Sequence, residues 1–532
     1  MIKNSAITRR IIGATHRFKR LHIFSAVGAV VLSFVLTIHD EKPQPAISHS
    51  SNSGFNFFDS AQVNALSDAD AARYKTIFRA QKAGQFDDAD NALLELQDQR
   101  LMGTVLADRY LSDKYATTSY ELEAWLSNYA DQPEANRIAH LAAKKGITLA
   151  DASVKLAKPK VEGIGRVDTI GNSDMPKSWF LGLRAWKEGN DKNAAGFFAD
   201  AASSKGLSSW QQSAAYFWQY RVNARMGDAD GAQAALNAAA EHPLTFYGMI
   251  AQNIKGGTLR LMAQSPYVPD ALRAHAAVLR AKALSQIGQI SLAERELRTL
   301  FKQLDESDRS SLITLSSEMN LPNLQVRLSR LPELNDEERI FANYPMPQWL
   351  DAKQLRVDNA LLLAISRQES SFSQEAQSHA GASGLMQLMP KTANYIFNKS
   401  NESLVASIND NGSQLGHLPI KTLGSEDLND PKTNLLLGQE YVQYLAHKPF
   451  IGNNIVHILA SYNAGPGIVY SWNKTAANIK DPLLYIESIP YTETRHYVMQ
   501  VLANYWAYES LMGKDTDSLS AIAQGKWPEI EG

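Results

Sequence analysis

Cysteine is absent from all 532 residues, so no disulfide, thiolate nucleophile or cysteine-ligated zinc can exist here. That suits an exported protein that avoids stray oxidation, and equally many cytosolic ones. Charge excess is also missing: Lys+Arg 53 against Asp+Glu 55 leaves a formal net charge of -2, which gives no electrostatic reason for a nucleic-acid partner. The 12 histidines are scattered without metal-ligand spacing and without a His-Glu-x-x-His pattern, so the sequence calls for no metal and no cofactor.

Long apolar runs are scarce as well. The notable one is Ile23 to Ile38, "IFSAVGAVVLSFVLTI", preceded by Arg9, Arg10, Arg17, Lys19 and Arg20. A basic flank before an apolar core is the pattern of an export signal. Its length lies between a signal core and a membrane span, so it reads as a cleaved signal or as a retained anchor at residues 23–38. In both cases the body of the protein is exported, with membrane contact confined to this segment. Residues 1–60, including a Pro, Ser and Asn-rich stretch, form this signal or anchor and linker.

What is present is helical. With 44% hydrophobic and 20% charged residues the composition is globular, and the length asks for more than one domain. From 61 to 305 the chain is Ala- and Leu-rich with helical spacing. A unit recurs in it at Gly84/Ala89, Gly189/Ala194, Gly227/Ala232 and Gly288/Ala293: a helix, a glycine turn, then a second helix with a small residue five positions on. Ten residues before each glycine stands a bulky side chain, Tyr74, Trp179, Phe217 or Val278. This is the logic of stacked helix pairs, and predicts an α-superhelical solenoid. Residues 306–344 carry Pro322 and Pro332 and read as a linker segment. From 345 to 532 glycine-rich loops and aromatics alternate with helices, and chemistry concentrates there.

Five stretches stand in order: "ISRQESSF" around Glu369, "GASGLMQLMPKTA" with Met386 and Gln387, "DPKTNLLLG", "LASYNAGPG" with Tyr462 and Asn463, and "ESIPYTETRHYV" with Glu493. Asp358 is placed to cap the helix that ends near Glu369, and Thr492 the helix that carries Glu493. Taken singly, each stretch reads as loop and core, and a Glu at a helix end as a solvated charge.

Jointly, the series closely resembles the soluble, Slt-type lytic transglycosylases, which cleave bacterial peptidoglycan with a lysozyme-like domain. A weaker resemblance covers "HPLTFYGMIAQ" from His242, which is similar to that family's helical N-terminal region. The expected fold is all-α: a solenoid of helix pairs followed by a lysozyme-like catalytic domain. Asn394 to Asp430 is longer than the family has there and reads as an inserted loop. Its "SINDNGS" is no calcium loop, because aligning Gly412 at the turn puts Ser407 and Leu418 at ligand positions. Ser461 stands where the family commonly has Ala.

The resemblance implies that Glu369 is the catalytic acid and then base. Ser370, Met386, Gln387, Tyr462, Asn463 and Glu493 would contact substrate, Tyr462 also positioning Glu369 or the sugar's acetamido group. Peptidoglycan strands are the implied substrate, and the solenoid could recruit cell-wall remodelling proteins. An ordinary Glu, with a pKa near 4.3, is protonated in roughly one molecule in 500 at pH 7, so an acid here needs its pKa raised by about two units. Two alternatives stay open on the residues alone: a goose-type lysozyme that uses water, and a glycan-binding scaffold without catalysis.

Overall fold

Glycine turns set the architecture. Helices Asp68–Ala83 and Phe86–Leu94 meet at Gly84, Lys177–Lys187 and Asp191–Ala202 at Gly189, Ser209–Met226 and Ala229–Ala240 at Gly227, and Ala276–Gln286 and Ile290–Phe301 at Gly288. All four glycines have φ between +73° and +81°, a left-handed conformation that β-carbon-bearing residues adopt at a cost. The small residues Ala89, Ala194, Ala232 and Ala293 are buried, and so are Tyr74, Trp179, Phe217 and Val278. The repeat read from the sequence is thus a repeat of packing.

The computed structural model describes residues 64–147, 175–399 and 422–530, which lie within a compact unit spanning Phe58–Gly532. The export-type segment at 23–38 and the "SINDNGS" stretch lie outside the described residues. Among those described, no helix is long and apolar enough to cross a membrane. Their β-structure is limited to isolated bridges, such as Ser383 with Gln377 and Leu388.

Residues 306–344 differ from the expected linker. They form helices Glu306–Arg309, Ser311–Glu318, Pro322–Leu328 and Asp336–Asn343, with Leu312, Leu315, Leu324 and Leu328 fully buried. Pro322 starts a helix here, where its missing N–H costs nothing. Asn335 and Glu338 close a capping box around the last of the four.

The helix pairs at Gly189 and Gly227 share one hydrophobic core with the C-terminal region, running from Trp179 to Ile522. Phe246 stacks on Trp506 with centroids 5.3 Å apart, and the Tyr247 hydroxyl donates to buried Glu487 at 2.6 Å. Arg221 pairs with Asp481 at 2.5 Å. Helix Phe246–Ile254 therefore packs against the long helix Thr492–Leu511, the same helix that supplies the site described next.

Candidate active site

Helix Asn359–Ser370 presents Glu369 in its last turn. Asp358 caps its start, accepting from Ala360 N at 2.8 Å, as its position in the sequence predicts. The apolar run Leu361 to Ile365 is buried and fixes the helix in the core. The chain then turns sharply: Ser371 has φ +49° and Phe372 φ +63°. A bulky residue at positive φ costs on the order of 1–3 kcal/mol and persists only where its surroundings hold it. Here the Phe372 side chain is buried against Trp349, and Asn323 donates to the Ser371 carbonyl at 2.8 Å. Asn323 belongs to helix Pro322–Leu328, so the segment read as a linker secures the turn that follows Glu369.

Glu369 itself is half-buried. Burial pushes its pKa up to about 7; the hydrogen bond from Tyr497 opposes this and the charge of Glu493 adds to it. The Tyr497 hydroxyl donates to Glu369 Oε1 at 2.7 Å. Tyr497 lies one helical turn after exposed Glu493 on helix Thr492–Leu511, so both address the same carboxyl group. Tyr497 is the site residue missed in the sequence. Its spacing from Glu493 was the available signal, and only the packing of the two helices gives it meaning.

The loop after the acid helix is built on backbone needs. Asn434, fully buried, accepts from Met386 N at 2.8 Å and donates to the carbonyls of Ser383 and Leu428 at 3.0 and 2.9 Å. This is the work of the Asn in "DPKTNLLLG". Gly384 has φ +79°, and a β-carbon there would stand 2.0 Å from the Leu428 carbonyl oxygen. Gln387 also has a positive φ, +47°, and donates to the carbonyls of Ala376 and Gly384 at 3.0 and 2.8 Å.

The six residues expected to contact substrate therefore divide. Ser370 donates to the carbonyls of Leu385 and Ser366 at 2.8 and 3.1 Å, which ties the acid helix to the loop. The Met386 side chain is fully buried against Gly438, so it packs in the core instead of lining a sugar site; the backbone carbonyl is its polar contribution. That carbonyl accepts from the Tyr462 hydroxyl at 2.8 Å. Tyr462 is still close enough to Glu369 for the carboxylate's charge to help burial raise the phenol's pKa, but the direct hydrogen bond to the acid comes from Tyr497. Asn463 accepts from Thr494 at 2.6 Å, joining helix Ile455–Ala464 to the helix of Glu493. The cap of that helix falls on Tyr491, one residue before the expected Thr492.

A carboxyl group poised near pH 7, one phenol hydrogen-bonded to it and a second nearby, all in an α-helical scaffold, form a site equipped to give and take a proton. Residues 350–484 match the family described as the transglycosylase SLT domain. Residues 488–517, the stretch containing Tyr497 and Trp506, match the soluble lytic transglycosylase helical domain. The chain is 30% identical over 302 residues to the soluble lytic murein transglycosylase of Salmonella typhimurium, covering 56% of this chain and 44% of that protein. It is 30% identical over 287 residues to the protein of that name from Escherichia coli K12, covering 53% and 41%. The match thus spans less than half the length of these relatives. In fold, the chain is similar to the 70 kDa soluble lytic transglycosylase of Escherichia coli, with a TM-score of 0.53 at 21% identity over 87% of this chain and 76% of that one. The complex of the 70 kDa enzyme with bulgecin A gives a TM-score of 0.51 at 20% identity, covering 87% and 74%.

Proposed function

We propose that this chain is a peptidoglycan lytic transglycosylase acting on the β-1,4 bond between N-acetylmuramic acid and N-acetylglucosamine. The observation that carries the reading is Glu369: a carboxyl group whose pKa is pushed up to about 7 and which is oriented by Tyr497. Such a group is protonated in about half the molecules at neutral pH and can both give and take a proton.

In the first step Glu369 donates its proton to the glycosidic oxygen, and the bond to the muramic acid C1 breaks. The 2-acetamido group of the same sugar stabilises the cationic centre, as in substrate-assisted glycosidases. In the second step the Glu369 carboxylate takes the proton from the C6 hydroxyl as its oxygen bonds to C1. The products are a shortened strand and a 1,6-anhydro sugar. Water is not consumed, no cofactor takes part, and Glu369 ends protonated as it began. Among the described residues Glu493 is the carboxylate whose charge reaches Glu369, and its place is electrostatic support at the exposed start of its helix.

Ser370, Gln387, Asn463 and the Met386 backbone are proposed to shape the sugar site by holding its loops, while Tyr462 and Tyr497 face the acid. Residues 345–532 are proposed as the catalytic domain and 61–305 as the solenoid. The periplasm is the proposed location, since the basic and apolar N-terminal segment reads as an export signal or anchor. Incubation with purified peptidoglycan tests the function. The protein should release 1,6-anhydromuropeptides and the Glu369→Gln variant should release none; release by the variant would remove Glu369 from the mechanism.

A further inference from the structure

Four tyrosine rings lead away from the Glu369 site. Tyr462 stands 5.2 Å from Tyr441, Tyr441 lies 6.2 Å from Tyr444 with nearly parallel planes, and Tyr444 meets Tyr395 edge-on at 5.5 Å. The inner rings are half-buried, whereas Tyr395 is 42% exposed. Two cations stand at the outer end: Lys448 Nζ lies 4.1 Å from the Tyr444 centroid and Lys399 Nζ 4.9 Å from that of Tyr395. Neither lysine has an acidic partner among the described residues, although basic side chains elsewhere in this region, Arg356 and Lys514, are paired with Glu440 and Asp358.

The electrostatics agree with an excess of positive charge. Lys399 and the Tyr444 hydroxyl hold the Tyr395 phenol below its ordinary range, with Lys448 adding to the effect. Tyrosine rings offer apolar faces with a polar tip, which suits the alternating apolar and hydroxyl surfaces of a sugar. Lys399 is exposed and Lys448 half-buried, and ammonium groups whose neighbours are aromatic rings and a phenol oxygen are weakly held and can turn to a carboxylate. A neutral glycan would use the rings and leave the lysines idle. A strand bearing peptide stems brings carboxylates alongside its sugars and would use both.

We propose that Tyr441, Tyr444 and Tyr395, with Lys399 and Lys448, form an outer subsite that binds the anionic, peptide-bearing part of the glycan strand. The proposal rests on the transglycosylase reading for its substrate class and adds selectivity for charged stems over bare sugar. The tyrosines supply affinity common to both strands, and the lysines supply the discrimination.

The test compares peptide-bearing strands with the same strands stripped of their stems, using the intact protein and a Lys399→Ala/Lys448→Ala variant. For the variant, KM on peptide-bearing strands should rise about three- to tenfold, the range expected from losing two ion pairs at the surface. Its KM on stripped strands and its kcat on both should stay unchanged. Tyr395→Ala should raise KM on both substrates alike. Equal changes on the two substrates for the lysine variant, or none on either, overturn the proposal. Wild-type protein that cleaves neither substrate overturns the transglycosylase reading instead; binding of the two strands by the same proteins then decides the subsite on the same criterion.

Discussion

The Tyr497 hydroxyl donates to Glu369 Oε1 at 2.7 Å, and Tyr497 and the exposed carboxylate Glu493 lie one turn apart on the same helix. Burial raises the Glu369 pKa and this hydrogen bond restrains the rise, so the phenol lowers the pH at which the acid titrates. Tyr497→Phe should move the alkaline limb of the pH–rate profile upward from near 7 by about half a unit to one unit, since the charged form loses its donor. It should also lower kcat roughly tenfold through lost orientation. A limb that stays in place would show that Tyr497 does not act on the Glu369 proton.

The acid should cost the fold stability. A carboxyl whose folded pKa is raised to about 7 gives a protein fully stable below its unfolded pKa and progressively less stable as pH rises toward 7, because folding then opposes ionisation. Glu369→Gln should match the wild type near pH 4 and exceed it at pH 8 by on the order of 2 kcal/mol, read as a higher denaturation midpoint. Glu509, buried with its pKa pushed up to about 8, should behave the same way over a window that extends to about pH 8, and Glu509→Gln should leave activity intact. Parallel stability curves for wild type and Glu369→Gln across this range would contradict the raised pKa.

Ser461 is fully buried, and its hydroxyl has no hydrogen-bond partner among the described residues. A desolvated hydroxyl without a partner is a net cost, so Ser461→Ala should stabilise the protein by about 1 kcal/mol with activity unchanged, as measured by chemical denaturation and strand cleavage. A loss of stability would mean that the hydroxyl is satisfied after all.

Asn323 tests whether the turn after the acid is held from outside. Asn323→Ala removes the donor to the Ser371 carbonyl and should cost about 1 kcal/mol of stability. It should also lower kcat several-fold, because the left-handed pair Ser371 and Phe372 would relax and carry Glu369 with it. A stability loss with no change in kcat would separate the turn from catalysis.

The sequence was most legible where geometry repeats locally. A glycine with a small residue five positions on specifies a helix turn and a close approach, and all four pairs form as read. Glu369 could be singled out only through the ordered motifs around it, since a helix-end Glu says nothing alone. Tyr497 was illegible because its partner lies 128 positions away and the contact depends on how two helices pack. Pro322 misled in the opposite sense: the same ring that breaks a helix interior begins one, and the choice depends on burial that periodicity does not reveal. Met386 adjoins the site in sequence, yet its side chain fills the space above Gly438, leaving only its backbone to take part.

One carboxyl group is proposed to act first as acid and then as base on the sugar's own C6 hydroxyl. Digestion of peptidoglycan in ¹⁸O-labelled water tests it most directly, by mass spectrometry of the released fragments. The expected result is 1,6-anhydro ends that carry no ¹⁸O, and no products from Glu369→Gln. Reducing ends labelled with one ¹⁸O would contradict it and assign a water-using lysozyme.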